Sequence, residues 1–167
     1  MKQIFIENVQ IHHIPYIMEI AEAAWRPTYL PIISEAQVDF MFKLIFTPKA
    51  LEKNLLQPGT FALLAFEDSQ ALAFAVVSPE NQPEGTTKIS KFYVRPDAQG
   101  KGIGKKLMND LIARAKAEKF KKILLNVNRF NEKAIFFYEK CNFVKLYQED
   151  IAVGKYWMND FVMGLDV

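Results

Sequence analysis

The fold is decided by a glycine-rich stretch near the middle of the chain, Val94-Arg95-Pro96-Asp97-Ala98-Gln99-Gly100-Lys101-Gly102-Ile103-Gly104-Lys105-Lys106. It follows a run typical of a β-strand, at 86–95, and precedes an amphipathic helix. The first N–H groups of a helix have no partner within the helix, and the aligned peptide dipoles leave positive charge there. Glycine lets an anion approach the backbone closely. The stretch therefore predicts a phosphate-binding junction between strand and helix, with lysines around it.

Two common phosphate-binding motifs do not match this stretch. A P-loop needs Gly-x-x-x-x-Gly-Lys-[Ser/Thr], but Gln99 occupies the first glycine position and Lys106 the hydroxyl position. A dinucleotide fingerprint needs Gly-x-Gly-x-x-Gly, whereas Gly100, Gly102 and Gly104 are evenly spaced. The junction therefore belongs to another class of phosphate site.

The spacing that does fit is Gln/Arg-x-x-Gly-x-Gly/Ala, which runs here from Gln99 to Gly104. About thirty residues later the chain reads Asn131-Glu132-Lys133-Ala134-Ile135-Phe136-Phe137-Tyr138-Glu139-Lys140-Cys141-Asn142-Phe143. That segment is similar to Asn-x-x-Ala-x-x-Phe-Tyr-x-x-x-Gly-Phe, with Asn142 where glycine is usual. Asparagine tolerates the left-handed conformation expected after a helix end. Together the two segments resemble the GNAT superfamily of acetyl-CoA-dependent N-acetyltransferases.

The resemblance implies that acetyl-CoA is the cosubstrate, that no metal is needed, and that an amine attacks the acetyl thioester directly in a ternary complex. It places cofactor binding at Tyr93, Val94, Gln99, Gly100, Lys101, Gly102, Ile103, Gly104, Lys105, Asn131, Lys133 and Tyr138. A backbone N–H near Tyr93 and Val94 would stabilise the negative charge that develops on the carbonyl oxygen. Asn131 and Tyr138 are seven residues apart on a helix, so they could line one groove along the cofactor arm.

Tyr138 is the expected catalytic residue, facing the thioester sulfur. A phenol with a pKa of ~10 is a weaker acid than a thiol with a pKa of ~8.5, so full protonation of a free thiolate costs roughly 2 kcal/mol. We therefore expect Tyr138 to act mainly as a hydrogen-bond donor to the leaving sulfur.

The base that removes the amine proton is left open by the sequence. An alkylamine with a pKa of ~10.4 is neutral in only about one part in two thousand at pH 7. His12 and His13 are expected to form a surface pair. The carboxylates Glu149, Asp150 and Asp160 could act directly or through water.

Two aromatic segments are candidates for the acceptor pocket, namely 25–31, expected to join the first two helices, and 156–160. Plain packing is the alternative for both. The candidate substrate residues are Trp25, Tyr29, Asp150, Tyr156 and Asp160. The segment 25–31 and the ending Tyr-x-Met-Asn-Asp-x-x-Met at 156–163 look similar to bacterial spermidine/spermine acetyltransferases, which implies a small amine or polyamine acceptor. The alternatives are an enzyme that acetylates protein N-termini or lysines, and a non-catalytic acetyl-CoA sensor.

Composition is consistent with one compact enzyme domain over residues 1–167, of which 50% are hydrophobic. A net charge of +2 does not indicate a nucleic-acid binder. The longest apolar run, Ala71 to Val77, cannot span a bilayer. The lone Cys141 is expected to pack in the core and suits a reducing compartment, so we expect a cytoplasmic protein. Apolar faces on the last strands would allow a homodimer, which nothing in the residues decides.

The pattern of apolar residues predicts an α/β (α+β) fold. The order of the predicted elements resembles the GNAT acyltransferase fold, which implies a mixed central sheet flanked by helices. The predicted strands are 3–9, 60–67, 70–78, 86–95, 123–127, 143–153 and 156–166. The predicted helices are 14–25, 35–46 and 48–57, one after the glycine loop and one beginning near Asn131.

Overall fold

The computed structural model describes residues 2–79 and 81–167, and within them the chain forms a mixed sheet covered by helices. The strands are β1 Ile4–Asn8, β2 Phe61–Glu67, β3 Gln70–Ser78, β4 Thr86–Val94, β5 Lys122–Asn128, β6 Val144–Val153 and β7 Tyr156–Asp166. The helices are α1 Ile14–Tyr29, α2 Glu35–Ile45, α3 Pro48–Leu55, α4 Ile103–Ala117 and α5 Glu132–Lys140, with short 3-10 helices at Ile11–His13 and Pro96–Ala98. The predicted fold class is confirmed.

The sheet has the strand order β1-β2-β3-β4-β5-β7-β6. Every neighbouring pair is antiparallel except β4 and β5, which are parallel. The parallel pair is joined only from Thr86 to Ile89 on β4 and from Lys122 to Leu125 on β5. Beyond Ile89 and Leu125 the two strands separate, so a gap opens in the middle of the sheet between their carboxyl-terminal halves.

A β-bulge lies where the gap begins. Val76 of β3 pairs with Lys91, but Val77 pairs with Ile89, so Ser90 is an extra residue on β4. The Ser90 hydroxyl donates to the Val76 carbonyl oxygen at 3.3 Å, which holds the bulge against β3. A bulge bends its strand and increases the local twist. We attribute the divergence of β4 from β5 to this extra residue.

Helices cover both faces of the sheet and bury two hydrophobic cores. On one face, α4 and α5 pack against the central strands, and α4 buries Ile103, Leu107, Met108, Leu111 and Ala115 as its apolar stripe predicts. On the other face, α1, α2 and α3 bury a core of Ile17, Ile20, Trp25, Val38, Leu51 and Phe74. The predicted core position of Cys141 is confirmed, since it is buried on the α4 and α5 side.

Two expectations about the start of the chain are wrong. The segment 25–31 does not simply join two helices, because α1 continues through Pro27 to Tyr29. Proline removes one N–H from the helical ladder, but it lies in the last turn, where Trp25 is fixed by packing in the core. His13 is not a surface residue: it is 7% exposed, and its Nδ1 accepts from the Gln10 N–H at 3.0 Å.

Lys91 is a partly buried cation on β4, two residues before Tyr93. Its Nζ donates to Asn54 Oδ1 of α3 at 2.7 Å. Burial lowers the pKa of Lys91 to about 8. The folded protein therefore holds this charge in a poorly solvated place with a neutral partner.

Replacing Lys91 with Met should raise the melting temperature at pH 7, and this gain should shrink as the pH rises from about 8 to 10.5. In that window the unfolded lysine still binds its proton while the folded one has lost it, so wild-type stability rises relative to the variant. Thermal unfolding of both proteins across this range measures the difference. Lys53→Met, on an exposed position of α3, controls for a general loss of charge. A gain that does not change with pH would contradict the interpretation.

Candidate active site

The glycine loop presents unpaired backbone donors at the start of α4. Gly100 and Gly102 have φ angles of +77° and +80°, which residues with a side chain rarely adopt. The helix begins with the Lys106 N–H donating to the Gly102 carbonyl oxygen at 3.0 Å. In residues 2–79 and 81–167, the N–H groups of Gly100, Lys101 and Gly102 have no acceptor. These donors and the positive end of α4 can hold an anionic group such as a pyrophosphate.

Gly104 has a different role from the other two glycines. Its φ angle is not positive, and a Cβ added there would lie 3.4 Å from both Phe137 Cζ and Val94 Cγ2. The absence of a side chain lets α4 come close to α5 and to the end of β4. The buried Ile103 anchors the same first turn in the core. Gly104 therefore sets how tightly the loop is held, rather than its backbone conformation.

The gap exposes backbone groups of β4. The Arg95 N–H donates to the Leu72 carbonyl oxygen of β3 at 2.9 Å. Because backbone groups alternate in direction along a strand, the N–H of Tyr93 also points to β3, whereas those of Phe92 and Val94 point into the gap. Of the two predicted backbone donors, the geometry thus leaves Val94 available to a ligand.

Gln99 and Lys133 connect the glycine loop to α5. Gln99 Nε2 donates to the Val94 carbonyl oxygen at 3.2 Å, and Lys133 Nζ donates to Gln99 Oε1 at 2.5 Å. Asn131 is the N-cap of α5, and its side-chain oxygen accepts from the Ala134 N–H at 3.2 Å. The structure therefore brings the loop and the first turn of α5 together at one edge of the gap.

The two loop lysines are placed differently. Lys101 is exposed, and its charge contributes to lowering the pKa of the neighbouring Asp97 carboxyl, for which the Arg95 hydrogen bond is the main cause. Lys105 instead reaches the last turn of α5, where its Nζ lies 3.4 Å from the Lys140 carbonyl oxygen. Lys105 therefore contacts the negative end of that helix.

Tyr138 lies on the inner face of α5, and its ring packs against Phe92 and Phe143 with centroid distances of 6.3 and 6.0 Å. The residue is 8% exposed. Burial, followed by the proximity of Tyr29 and Cys141, raises the pKa of Tyr138 above its ordinary value. The phenol is therefore held in its protonated form, which can donate a hydrogen bond but resists giving up its proton.

Tyr29 and Tyr93 approach the same region from the other face of the sheet. Burial, followed by the Asp160 charge, raises the pKa of Tyr29 to about 12, while the neighbouring Tyr93 acts in the opposite direction. Burial is the main reason that the pKa of Tyr93 is raised, and the nearby Tyr29 and Tyr138 add to that shift. Trp25 is buried against Tyr29, and its Nε1 donates to the Val38 carbonyl oxygen at 3.0 Å. Tyr29 thus lies near the reaction region, and the buried Trp25 ring holds Tyr29 in place by packing against it.

The acidic candidates differ in environment. Asp150 is exposed and accepts from Arg129 Nη2 and Asn159 Nδ2, both at 2.8 Å. Asp160 is 6% exposed, and it pairs across the sheet with Asn128 of β5 and Glu149 of β6. Only Asp160 therefore combines burial with a position beside the end of β5.

Burial is the main reason that the pKa of Asp160 lies above its ordinary value, and the Glu149 charge adds to the shift. The Asn126 hydrogen bond and the more distant charges of Lys88 and Arg129 act in the opposite direction. A carboxylate with a raised pKa binds a proton more readily than an exposed one. Asp160 thus has the properties of a proton acceptor.

Tyr156 lies at the far end of β7, where it packs on Phe40 of α2 with a centroid distance of 5.4 Å. Lys155 Nζ lies 5.4 Å from the centre of its ring. Register separates Tyr156 from Asp160 by four residues along the strand. The structure therefore does not bring Tyr156 to the end of the gap where Asp160 lies.

Asn126 is a further polar residue of the site that the sequence motifs do not indicate. It is the first β5 residue beyond the last β4 partner, and its Nδ2 donates to Glu149 Oε2 at 3.0 Å and to Asp160 Oδ2 at 3.2 Å. The available signal was a pair of amides, Asn126 and Asn128, at alternate positions near the end of an apolar strand.

In the described parts of the chain, no group of three or more His, Cys, Asp or Glu residues is arranged to hold a metal ion.

No helix among the described residues has the length and apolar character needed to cross a membrane.

Comparison with known proteins identifies the family. Residues 15–143 match the profile of the Acetyltransferase (GNAT) family. An uncharacterised N-acetyltransferase of Mycobacterium tuberculosis is 28% identical over 109 residues, which cover 65% of this chain and 69% of the relative.

Solved structures share the fold. The PaiA N-acetyltransferase of Thermoplasma acidophilum, crystallised with coenzyme A, superimposes with a TM-score of 0.83 at 24% identity over 99% of both chains. A spermidine N-acetyltransferase chimera of SpeG from Vibrio cholerae and hSSAT gives a TM-score of 0.72 at 17% identity, covering 98% of this chain and 95% of the other. Since the family profile spans most of the chain and the full fold agrees, this protein belongs to the GNAT family and is an N-acetyltransferase that uses acetyl-CoA as its cosubstrate.

Proposed function

We propose that this enzyme transfers the acetyl group of acetyl-CoA to the primary amine of a small molecule, by direct attack within a ternary complex. The observation that carries the proposal is the gap between β4 and β5 beyond Ile89 and Leu125. The free N–H of Val94 faces this gap, the donors of the glycine loop lie at one side of it, and Tyr138 lines it from α5. A thioester lying in the gap would meet groups suited to each part of the transfer.

The loop residues fit the anionic end of acetyl-CoA. Gly100, Lys101 and Gly102 provide free N–H donors, and the helix start adds positive charge. Lys133 and Asn131 stand beside the loop at the start of α5, where the pantetheine arm would pass. Three adjacent donors and a helix terminus match the charge of a pyrophosphate.

The reacting end of the gap supplies two donors. The Val94 N–H would stabilise the negative charge that builds up on the carbonyl oxygen. The Tyr138 hydroxyl would donate to the sulfur as the C–S bond breaks. Because burial raises the pKa of Tyr138, it would remain protonated over the physiological pH range and be ready to donate.

A polyamine or another small cationic amine is the acceptor that the acidic groups support best. Asp160 and Glu149 lie together at the β5 side of the gap, whereas the Asp150 charge is balanced by Arg129. Unbalanced carboxylates attract cationic substrates. We propose a cytoplasmic reaction, as the composition of the chain suggests.

A panel of amines tests the proposal. Thiol release from acetyl-CoA is measured with spermidine, spermine, putrescine, lysine, aminoglycosides and peptides with free N-termini. Turnover with polyamines or other small amines is the expected result. Turnover restricted to peptides would favour the protein acetyltransferase alternative. Acetyl-CoA binding in calorimetry without any turnover would favour a sensor.

Tyr138→Phe should lower kcat by about 100-fold, because it removes a donor needed only as the sulfur leaves. The dissociation constant of acetyl-CoA, measured by calorimetry, should change by less than about threefold, since most of the buried ring is kept. Tyr16→Phe on α1 is the matched control and should leave both values unchanged. Full activity in the Tyr138 variant would remove this residue from the mechanism.

Gly102→Ala should weaken acetyl-CoA binding roughly tenfold. An alanine at the observed φ of +80° carries about 1–2 kcal/mol of strain, which the free loop can relieve and the bound loop cannot. Gly85→Ala introduces comparable strain at a φ of +76°, but at the opposite end of β4. Calorimetry should show normal affinity for acetyl-CoA in that control. Equal affinities in the two variants would separate the loop from acetyl-CoA binding.

A further inference from the structure

Asp160 is a buried carboxylate without a cation. Its Oδ2 accepts from Asn126, but its Oδ1 is buried and has no hydrogen-bond partner in residues 2–79 and 81–167. No ion pair to Asp160 occurs among the same residues. An ionised carboxylate in such a place is costly unless something compensates its charge. Asp160 Oδ1 therefore lacks a hydrogen-bond donor, and none of the described residues supplies one.

Asn126 joins Asp160 to a second carboxylate. Its amide donates to Oδ2 of Asp160 and to Oε2 of Glu149, so two like charges are held side by side. The Asn126 Oδ1 is also buried without a partner in the described residues. Two buried acceptor oxygens in one hydrogen-bonded cluster, next to an exposed carboxylate, match a ligand that carries several N–H donors and a positive charge.

Charged and titratable groups approach Asp160 from every neighbouring element. The Asp160 charge raises the pKa of Tyr29 on α1. The charges that act on Asp160 itself come from Lys88 on β4, Arg129 after β5 and Glu149 on β6. Arg129 is already bound to Gln148 and Asp150, so it does not neutralise Asp160 directly. Lys88 makes no ion pair with Asp160 in the described structure.

The cluster also lies beside the reaction region. Asn126 is the first residue of β5 beyond the last pair with β4, so the gap begins next to it. Tyr29 is near both Asp160 and Tyr138, since the Asp160 charge adds to the raised pKa of Tyr29 and Tyr29 adds to that of Tyr138. A ligand nitrogen held by the cluster would therefore stand on the β5 side of the gap, facing the thioester held along β4.

We infer that Asp160, Asn126 and Glu149 form the acceptor subsite, which binds a primary ammonium group, and that Asp160 receives its proton directly or through one bound water. This inference rests on the proposed function. One N–H bond of the ammonium breaks and an O–H bond forms on Asp160. The neutral amine then forms the C–N bond while the C–S bond breaks. As the amide forms, the nitrogen loses a second proton and the thiolate gains one, and Asp160 then releases to water the proton that it took from the ammonium.

The three residues have different tasks in this subsite. Glu149 is exposed and provides a first contact for the cation. Asn126 holds the two carboxylates in place. Asp160 is the buried member of the pair, and burial makes it a stronger proton acceptor than an exposed carboxylate. An acceptor with a second positive charge would gain from both carboxylates.

Asp160→Asn is the decisive variant, because it keeps the shape of the side chain and removes its charge. With spermidine, or whichever amine of the panel is turned over, kcat/KM for the amine should fall by about 100-fold. The acetyl-CoA dissociation constant should stay within about twofold. Asp166→Asn on the same strand, where the carboxylate pairs with Lys122, is the matched control and should behave as wild type. Thermal unfolding verifies that each variant is folded.

The pH profile distinguishes proton transfer from a structural role. In the wild type, kcat/KM for the amine should rise with pH as Asp160 loses its proton, and the raised pKa places this rise above that of an ordinary carboxyl. Asp160→Asn should lose this rise. Glu149→Gln should keep it and mainly raise the KM of the amine.

Three outcomes would overturn the inference. If Asp160→Asn turned over the amine as fast as the wild type does, Asp160 would have no role in the reaction, while the proposed function would still stand. Reduced turnover with an unchanged pH profile would show that the residue only supports the structure. Absence of turnover by the wild type with every amine would contradict the proposed function, and the inference with it.

Discussion

The early end of the pairing between β4 and β5 is the constraint on which the site depends. The two strands share a ladder only as far as Ile89 and Leu125. An ordinary parallel pair would use the next backbone groups to bind its partner, and no donor would remain for a ligand. The bulge at Ser90 diverts β4 at this point, so the sheet keeps its core on one side of the break and offers free backbone groups on the other.

The same break brings together groups from both faces of the sheet. Tyr138 comes from the α5 side, while Tyr29 and Tyr93 come from the side covered by α1. In a closed sheet the strands would separate these side chains. Here their ionisations affect one another, and burial keeps all three phenols protonated. The site is therefore a poorly solvated region in which hydrogen-bond donors and one buried carboxylate act at short range.

Much of the fold could be predicted from local patterns. The amphipathic α4, the starts of α2 and α3, and the two strands β2 and β3 all appear where the sequence places them. Asn142 adopts the left-handed conformation expected of a glycine substitute, with a φ of +70°. The errors concern residues whose environment is set by distant parts of the chain. His13 is buried by packing against Phe66, and α1 passes through Pro27 because Trp25 is anchored in the core.

The sequence by itself determined the strand–loop–helix junction, the two glycines with positive φ, and the segment that contains Asn131 and Tyr138, because backbone conformation and helix periodicity are local properties. Only the tertiary structure decided which backbone N–H faces the gap, that Lys105 reaches the end of α5, and that Asp160 is buried beside Asn126 and Glu149. Those facts depend on strand register and on solvent exclusion by residues far apart in the chain. A carboxylate acquires a raised pKa from such surroundings, and its position in the sequence alone does not specify them.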